Sequence, residues 1–398
     1  MNFVFISPNF PHTYWMFCDR LRRNGVNVLG IGDAPYFELD NQLKGAMNEY
    51  YKVDSLENYW AVREAVRYFS EKYGHIDWLE SNNEYWLEQD ARLREEFNIT
   101  TGIHPAALEP WKHKSLMHKI YTEAGIPKAR QIVVSSLDMA KDFIREIGGY
   151  PVCAKPDVGV GAASTYKIEN QEQLEDFFRT KPPIAYVMEE FIEGNICSYD
   201  AIVDSDSNPL FESMGFFPPS IADILNKGLD LYFHINKEVD PKLKDLGRRT
   251  VKAFKVKNRF VHLEFFCLTK ANPHIGEVGD FAALEVNMRP AGGYTPDMMN
   301  FAHSTDVYQI WADMITTNKR ILKPNGEDSY CYYVSRRDHI HYLHSHEEVS
   351  SKYWNILKMN ERMPDVLAGA MGSQMYMACF PEKEDAREFI DFILARAE

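Results

Sequence analysis

Residues 281–293, F-A-A-L-E-V-N-M-R-P-A-G-G, set the tightest limit on what this chain can fold into. Glu285, Asn287 and Arg289 alternate with Leu284, Val286 and Met288, and an extended strand turns residues two apart to one face. The spacing predicts a strand with a carboxylate, an amide and a guanidinium on one side and apolar packing on the other. Carboxylate and amide oxygens suit a hard cation such as Mg2+, usually together with substrate phosphates. An arginine one step further can hold an anion bidentately. Pro290 then stops the ladder, and Gly292-Gly293 allows close backbone approach. A solvated edge strand has the same pattern, and a second acidic strand tips the balance. In residues 261–266, His262 and Glu264 share a face opposite Leu263 and Phe265. A carboxylate in an otherwise apolar run needs a cation or donors to offset its desolvation.

A chain of 398 residues exceeds one compact core, and roughly 150 residues per domain gives two or three. Lysine and arginine number 44 against 58 acidic residues, a net charge of −14, so the surface field repels phosphate backbones and argues against nucleic-acid partners. The cysteines, Cys18, Cys153, Cys197, Cys267, Cys331 and Cys379, form no C-x-x-C pair, which reads as reduced thiols of a cytosolic protein. No apolar run approaches the ~18 residues of a membrane span, and residues 2–6 lack the basic flank of a signal peptide. The expectation is a soluble cytoplasmic protein with no membrane partner.

In chain order, residues 3–6, 13–24 and 26–31 read as β-α-β and imply a parallel sheet. The turn after the first strand, Ser7-Pro8-Asn9-Phe10-Pro11, is no G-x-G-x-x-G, which removes the case for a dinucleotide there. A helix over 56–73, a strand over 76–79 and a helix over 85–97 complete a domain near Gly102. Asn82-Asn83-Glu84 reads as a helix cap or a substrate contact. Residues 112–124, carrying Lys112, Lys114 and Lys119, predict a helix stopped by Gly125-Ile126-Pro127. Residues 131–192 give two β-α-β units, a small α+β module with its own sheet. Its loop, Lys155 to Ser164 with Gly159 and Gly161, could wrap phosphate with backbone N–H groups, though many hairpins are equally glycine-rich. Glu189-Glu190-Phe191-Ile192-Glu193-Gly194 ends an apolar strand in acids, or offers a backbone edge to a purine. Strands over 200–203, 261–268 and 282–288, with a helix over 242–254, form a larger sheet. Beyond residue 323 come strands over 331–334 and 374–380 and a helix over 383–396. His339, His341, His344 and His346 are a candidate transition-metal cluster, against the commoner solvated segment. Residues 216–232, with Phe217-Pro218-Pro219, Tyr232 and His234, together with Tyr294 and His303, could line an acyl pocket or pack as aromatic core.

Taken in this order, the motifs resemble the ATP-grasp superfamily over nearly the whole chain, most closely its carboxylate-amine ligases of the L-amino-acid ligase type. Biotin carboxylase and the carbamoyl phosphate synthetase large chain are more distantly similar. The resemblance implies an N-terminal Rossmann-like α/β domain over 1–104, an ATP-grasp domain over 105–322 with a lid near 129–192, and a C-terminal subdomain over 323–398. It implies ATP and Mg2+, with Mn2+ as a substitute, small carboxylate and amine substrates, and a homodimer. Lys114 and Lys155 would hold phosphates, the Gly159 to Ser164 loop would close over them, and Glu189 with the backbone of Glu190 and Ile192 would take adenine. Glu264, Glu285 and Asn287 would bind two metal ions, and Arg289 would stabilise the reacting carboxylate. The implied activity is an ATP-dependent ligase working through an acyl phosphate. A bicarbonate-activating carboxylase and a non-catalytic nucleotide-binding regulator are the alternatives. Three departures stand out. His113-Lys114 replaces the usual D-K, so Lys112 competes with Lys114 for the phosphate. Ile196 replaces the ribose acid, leaving Glu193 or Asp200. Asp157 brings a negative charge beside the phosphate loop.

Overall fold

A computed structural model describes residues 1–159, 164–217 and 231–397. Three sheets carry the chain. The first is formed by β1 (Asn2–Ile6), β2 (Asn27–Gly32), β3 (Glu49–Lys52) and β4 (Trp78–Glu80), parallel and in the order β3-β2-β1-β4. β1 is buried along Phe3 to Ile6, as a strand covered on both faces must be. One face of this sheet does not end in a boundary. Phe3, Phe5 and Phe17 pack on Trp311 of the helix Val307–Thr317, with the Phe17 and Trp311 rings 4.9 Å apart.

The second sheet holds β5 (Gln131–Val134), β6 (Val152–Pro156), β7 (Tyr166–Ile168) and β8 (Tyr186–Glu190) in the order β5-β8-β6-β7. Every neighbouring pair is antiparallel. The two β-α-β units are therefore split and interleaved, each pair of parallel strands separated by one strand of the other unit. Side-chain caps fix the helix starts, Ser136 accepting from the Met139 N–H and Asn170 from the Gln173 N–H. Gly148, at φ 96°, ends the first of these helices in a conformation that glycine adopts without strain.

The central sheet runs β13-β12-β9-β10-β11-β14-β16-β15, built from β9 (Gly194–Val203), β10 (Pro209–Phe217), β11 (Leu231–Ile235), β12 (Arg259–Leu268), β13 (Phe281–Asn287), β14 (Tyr330–Arg336), β15 (Leu357–Arg362) and β16 (Gln374–Phe380). All its pairings are antiparallel. The strands beyond residue 323 thus extend the central sheet and make no separate one. One face packs on the helices Thr295–Ala302 and Val307–Thr317 and on the N-terminal sheet. The other receives the helix Pro241–Ala253, which approaches so closely at Gly247 that an added Cβ would lie 2.4 Å from the Tyr199 ring. No helix among the described residues is long and apolar enough to cross a membrane.

Candidate active site

β12 and β13 pair in the register that sets Glu264 opposite Glu285 and His262 opposite Asn287. Directly opposed side chains have Cβ atoms about 4.5–5.5 Å apart, so the two carboxylates share one patch. A bulge lies beside them, since Phe265 pairs with Ala283 and leaves Leu284 as the extra residue of β13. Its effect is to turn Leu284 out of the core expected for it. Ala283, Val286 and Met288 pack below the sheet, while Leu284 lines a small cavity with Lys114, His118, Tyr121, Gln131 and Glu189.

Each acid has a cation. Lys114 Nζ lies 2.9 Å from Glu285 Oε1 and donates to the Gly159 carbonyl at 2.9 Å. His262 Nε2 is 3.3 Å from Glu264 Oε1, and its Nδ1 is 2.8 Å from Asp200 Oδ1, its neighbour across β9 and β12. Burial pushes the imidazole down, but Asp200 and Glu264 outweigh it and raise the group to about 9. Burial likewise works to raise the Glu264 carboxyl, and His262, with Arg289 and Lys155, holds it below its usual range. An imidazolium clamped between two carboxylates is thus part of the cleft. The sequence showed His262 on the Glu264 face; the missing signal was Asp200, which reaches it through sheet register alone.

The second sheet supplies the opposite wall. Lys155, buried on β6, lies 2.7 Å from Glu189 Oε2 on β8, and Gln131 donates to Glu189 Oε1 at 2.7 Å. Burial works to lower the Lys155 amine, and Glu189 and Glu285 keep it raised. Glu190 turns away, its carboxylate on Arg130 and its backbone N–H on the Arg130 carbonyl at 3.0 Å. The Glu190 N–H is thus already bonded within the protein. Ile192 packs with Ala129 and Leu268, between the second sheet and the central sheet. Ser164 is exposed at φ 60°, and Gly161 lies outside the described residues.

The three departures from the usual motifs have the following surroundings. Lys112 pairs with Glu88 on the surface, 2.7 Å away, so Lys114 is the lysine of the cleft. Asp157 accepts from the Ser115 N–H at 2.8 Å, from the Ser115 hydroxyl and from His113, capping the helix Lys114–Glu123. Its charge serves a helix terminus. Asp200 is fully buried on Ser198 and His262, whereas Glu193 is exposed and paired with Lys270.

The proposed acyl pocket divides between the two sheet faces. Phe217 stacks on Phe233 and turns its edge toward His262 at 6.4 Å, on the cleft side. His234 and Tyr232 face the other way, His234 stacked on Tyr332 at 4.6 Å, because alternate strand residues point oppositely. Pro218 and Pro219 lie outside the described residues. Tyr294 donates to Glu361, and His303 bonds Ser213 at 2.9 Å. The histidine cluster does not converge: His344 stacks on Phe392 and His346 bonds the Tyr376 hydroxyl. Among the described residues no group of three or more His, Cys, Asp or Glu is arranged to hold a metal.

The N-terminal domain closes the third side. Glu84, just past β4, places Oε2 3.3 Å from Arg289 Nε. Behind it Glu80 binds Arg259 at 2.9 and 3.0 Å and Arg94 at 2.9 Å, and Arg259 Nε donates to the Met288 carbonyl at 2.6 Å. This buried cluster fixes β4 against the end of β13, and so Glu84 against Arg289.

No sequence-family profile matches the chain. Solved structures do. An L-amino acid ligase from Bacillus licheniformis matches with a TM-score of 0.71 at 14% identity, covering 98% of this chain and 95% of that one. A phosphoribosylglycinamide synthetase from Anaerococcus prevotii matches at 0.67 and 12%, covering 99% and 97%. The biotin carboxylase domain of a 2-oxoglutarate carboxylase from Hydrogenobacter thermophilus, in complex with MgADP, ADP and bicarbonate, matches at 0.63 and 14%, covering 95% and 86%. The parallel N-terminal sheet, the small antiparallel sheet and the large antiparallel sheet, matched over nearly the whole chain, give this chain the ATP-grasp fold.

Proposed function

We propose that the protein is an ATP-dependent ligase that activates a substrate carboxylate as an acyl phosphate and joins it to an amine, releasing ADP and phosphate. The observation that carries this reading is the register pairing of Glu264 with Glu285 in a cleft that also gathers Lys114, Lys155 and Arg289. Like charges directly opposed on a sheet are destabilising, so such a pair suits a site built to receive cations. Glu264, Glu285 and the Asn287 amide oxygen are the hard donors Mg2+ prefers. Mg2+ held there would neutralise phosphate oxygens and lower the cost of bringing a carboxylate to the γ-phosphorus.

The chain's own groups do the rest. Lys114 and Lys155, now paired with acids, would turn to the triphosphate, with Gly159 and Ser164 framing the loop over it. Leu284 gives the base an apolar floor beside Glu189, Ile192 packs at the hinge, and Glu193 is the carboxylate available to the ribose. Arg289 would orient the reacting carboxylate as a planar, bidentate donor. Closing the lid over residues 129–192 would exclude the water that otherwise hydrolyses an acyl phosphate. A regulator that only binds nucleotide has little use for this full set of acids and arginine.

The test is ADP and phosphate release in Mg2+ with pooled carboxylic acids and amines. Release that requires a carboxylate pool, with a product weighing the two substrates less water, is the expected result. Tight ATP binding with silence in every pool would contradict it and favour the regulator.

A further inference from the structure

Glu80 and Glu84 sit four residues apart at the end of β4, and their surroundings differ in kind. Both Glu80 oxygens are matched, by two arginines and by the N–H groups of Ser81 and Asn82 at 3.1 Å. The chain then turns sharply. Asn82 takes φ 53°, held by the Tyr14 hydroxyl on its carbonyl at 2.7 Å, and the Asn83 side chain caps the following turn at the Tyr85 N–H. This turn sends the Glu84 side chain inward, 14% exposed. Its Oε2 is buried 3.3 Å from Arg289 Nε but out of line for a hydrogen bond, and no donor among the described residues satisfies it.

The place is as telling as the missing hydrogen bond. In the order β3-β2-β1-β4 the chain direction across the sheet reverses between β1 and β4, and open parallel sheets bind ligands beyond the strand ends at that reversal. Residues 81–84 leave β4 there. Two further buried groups lack hydrogen-bond partners, the side-chain N–H groups of Asn82, two residues before Glu84, and of Asn287, two residues before Arg289. A buried carboxylate oxygen without a donor costs more than a hydrogen bond gains. The region therefore fits a ligand that brings an N–H donor to Glu84 and oxygen acceptors to the two amides, which describes an amine approaching an activated acyl group.

We infer that Glu84 is the group that binds the attacking amine and takes its proton, an inference that rests on the ligase reading above. An ammonium donates one proton to Glu84 Oε2 and gains a lone pair. The nitrogen attacks the acyl carbon, the C–N bond forms, and the C–O bond to phosphate breaks with its electron pair leaving on phosphate. The second nitrogen proton leaves with that phosphate, and one stays on the amide. Burial raises the Glu84 carboxyl and Glu285 adds to this, against Arg289, which makes Glu84 a better proton acceptor than an exposed carboxylate.

The experiment separates the two half-reactions. Hydroxylamine, already unprotonated near neutral pH, traps an acyl phosphate as a hydroxamate without needing a base. Glu84→Gln should form hydroxamate within about threefold of wild type yet lose about 100-fold or more in kcat/KM for the amine, and Glu84→Asp should recover part of it. Equal aminolysis by wild type and E84Q overturns the inference, as does an equal loss of hydroxamate and amide. A wild-type protein that forms no hydroxamate from any carboxylate overturns the ligase reading itself.

Discussion

The cluster around Glu80 and the cleft around Glu264 are both made of carboxylates facing cations, and they part in how fully each is satisfied. Glu80, Arg94 and Arg259 are at most 5% exposed at their side chains, and the Glu80 oxygens are matched from two domains. In the cleft, Glu264 and Glu285 are 26% and 18% exposed, and Lys114 and Lys155 are held by acids that a triphosphate would displace. A saturated network resists rearrangement, whereas a cleft whose cations can be exchanged between acids is ready to receive an anion. The first region reads as architecture and the second as function, although only three residues separate Glu80 from the cleft's Glu84.

Substitution should break this contrast in opposite ways. Glu264→Gln is expected to cut turnover by about 10³-fold or more while leaving thermal unfolding within a few degrees; calorimetry alongside ADP release checks both. Glu80→Gln should instead cost about 3–5 kcal/mol of stability, because it strands buried guanidinium groups, and denaturant titration measures it. A smaller effect concerns pH. His262 is raised to about 9 from an ordinary 6.5, so its contribution is complete below about 6.5 and lost as pH climbs through about 9. Unfolding temperature should fall across that window in wild type, and His262→Gln should flatten the fall. Asp90, raised from 3.8 to about 7 by burial and then by Glu80, loses its contribution as pH climbs between those values, so the fall due to His262 is read above about 7. Smallest, Asp157→Ala should remove about 1 kcal/mol through the lost cap of the helix Lys114–Glu123, with weaker effects on the cleft.

Alternation made Glu264, Glu285 and Asn287 legible, since period two is a property of the sequence itself. The helix Leu137–Ile147 and strand β16 were equally plain from their apolar spacing. What stayed hidden depends on pairing. The bulge that frees Leu284 needs a partner strand to exist, as does the Asp200–His262 contact across β9 and β12. Glu84 hid behind an ordinary use of its neighbour, because Asn83 does cap the next turn while Glu84 turns into the cleft. The short β3 and the preceding helix Asn41–Ala46 escaped for want of length. β15 sits on the sheet edge with mixed polar composition, where propensity says little.

Calorimetric titration of ATP with and without Mg2+, in wild type and in the Glu264→Gln, Glu285→Gln double variant, tests the paired acids most directly and needs no knowledge of the other substrates. ATP affinity of the wild type should rise with Mg2+, and the double variant should lose that gain while keeping its Mg2+-free affinity. An undiminished gain in the variant would contradict the account.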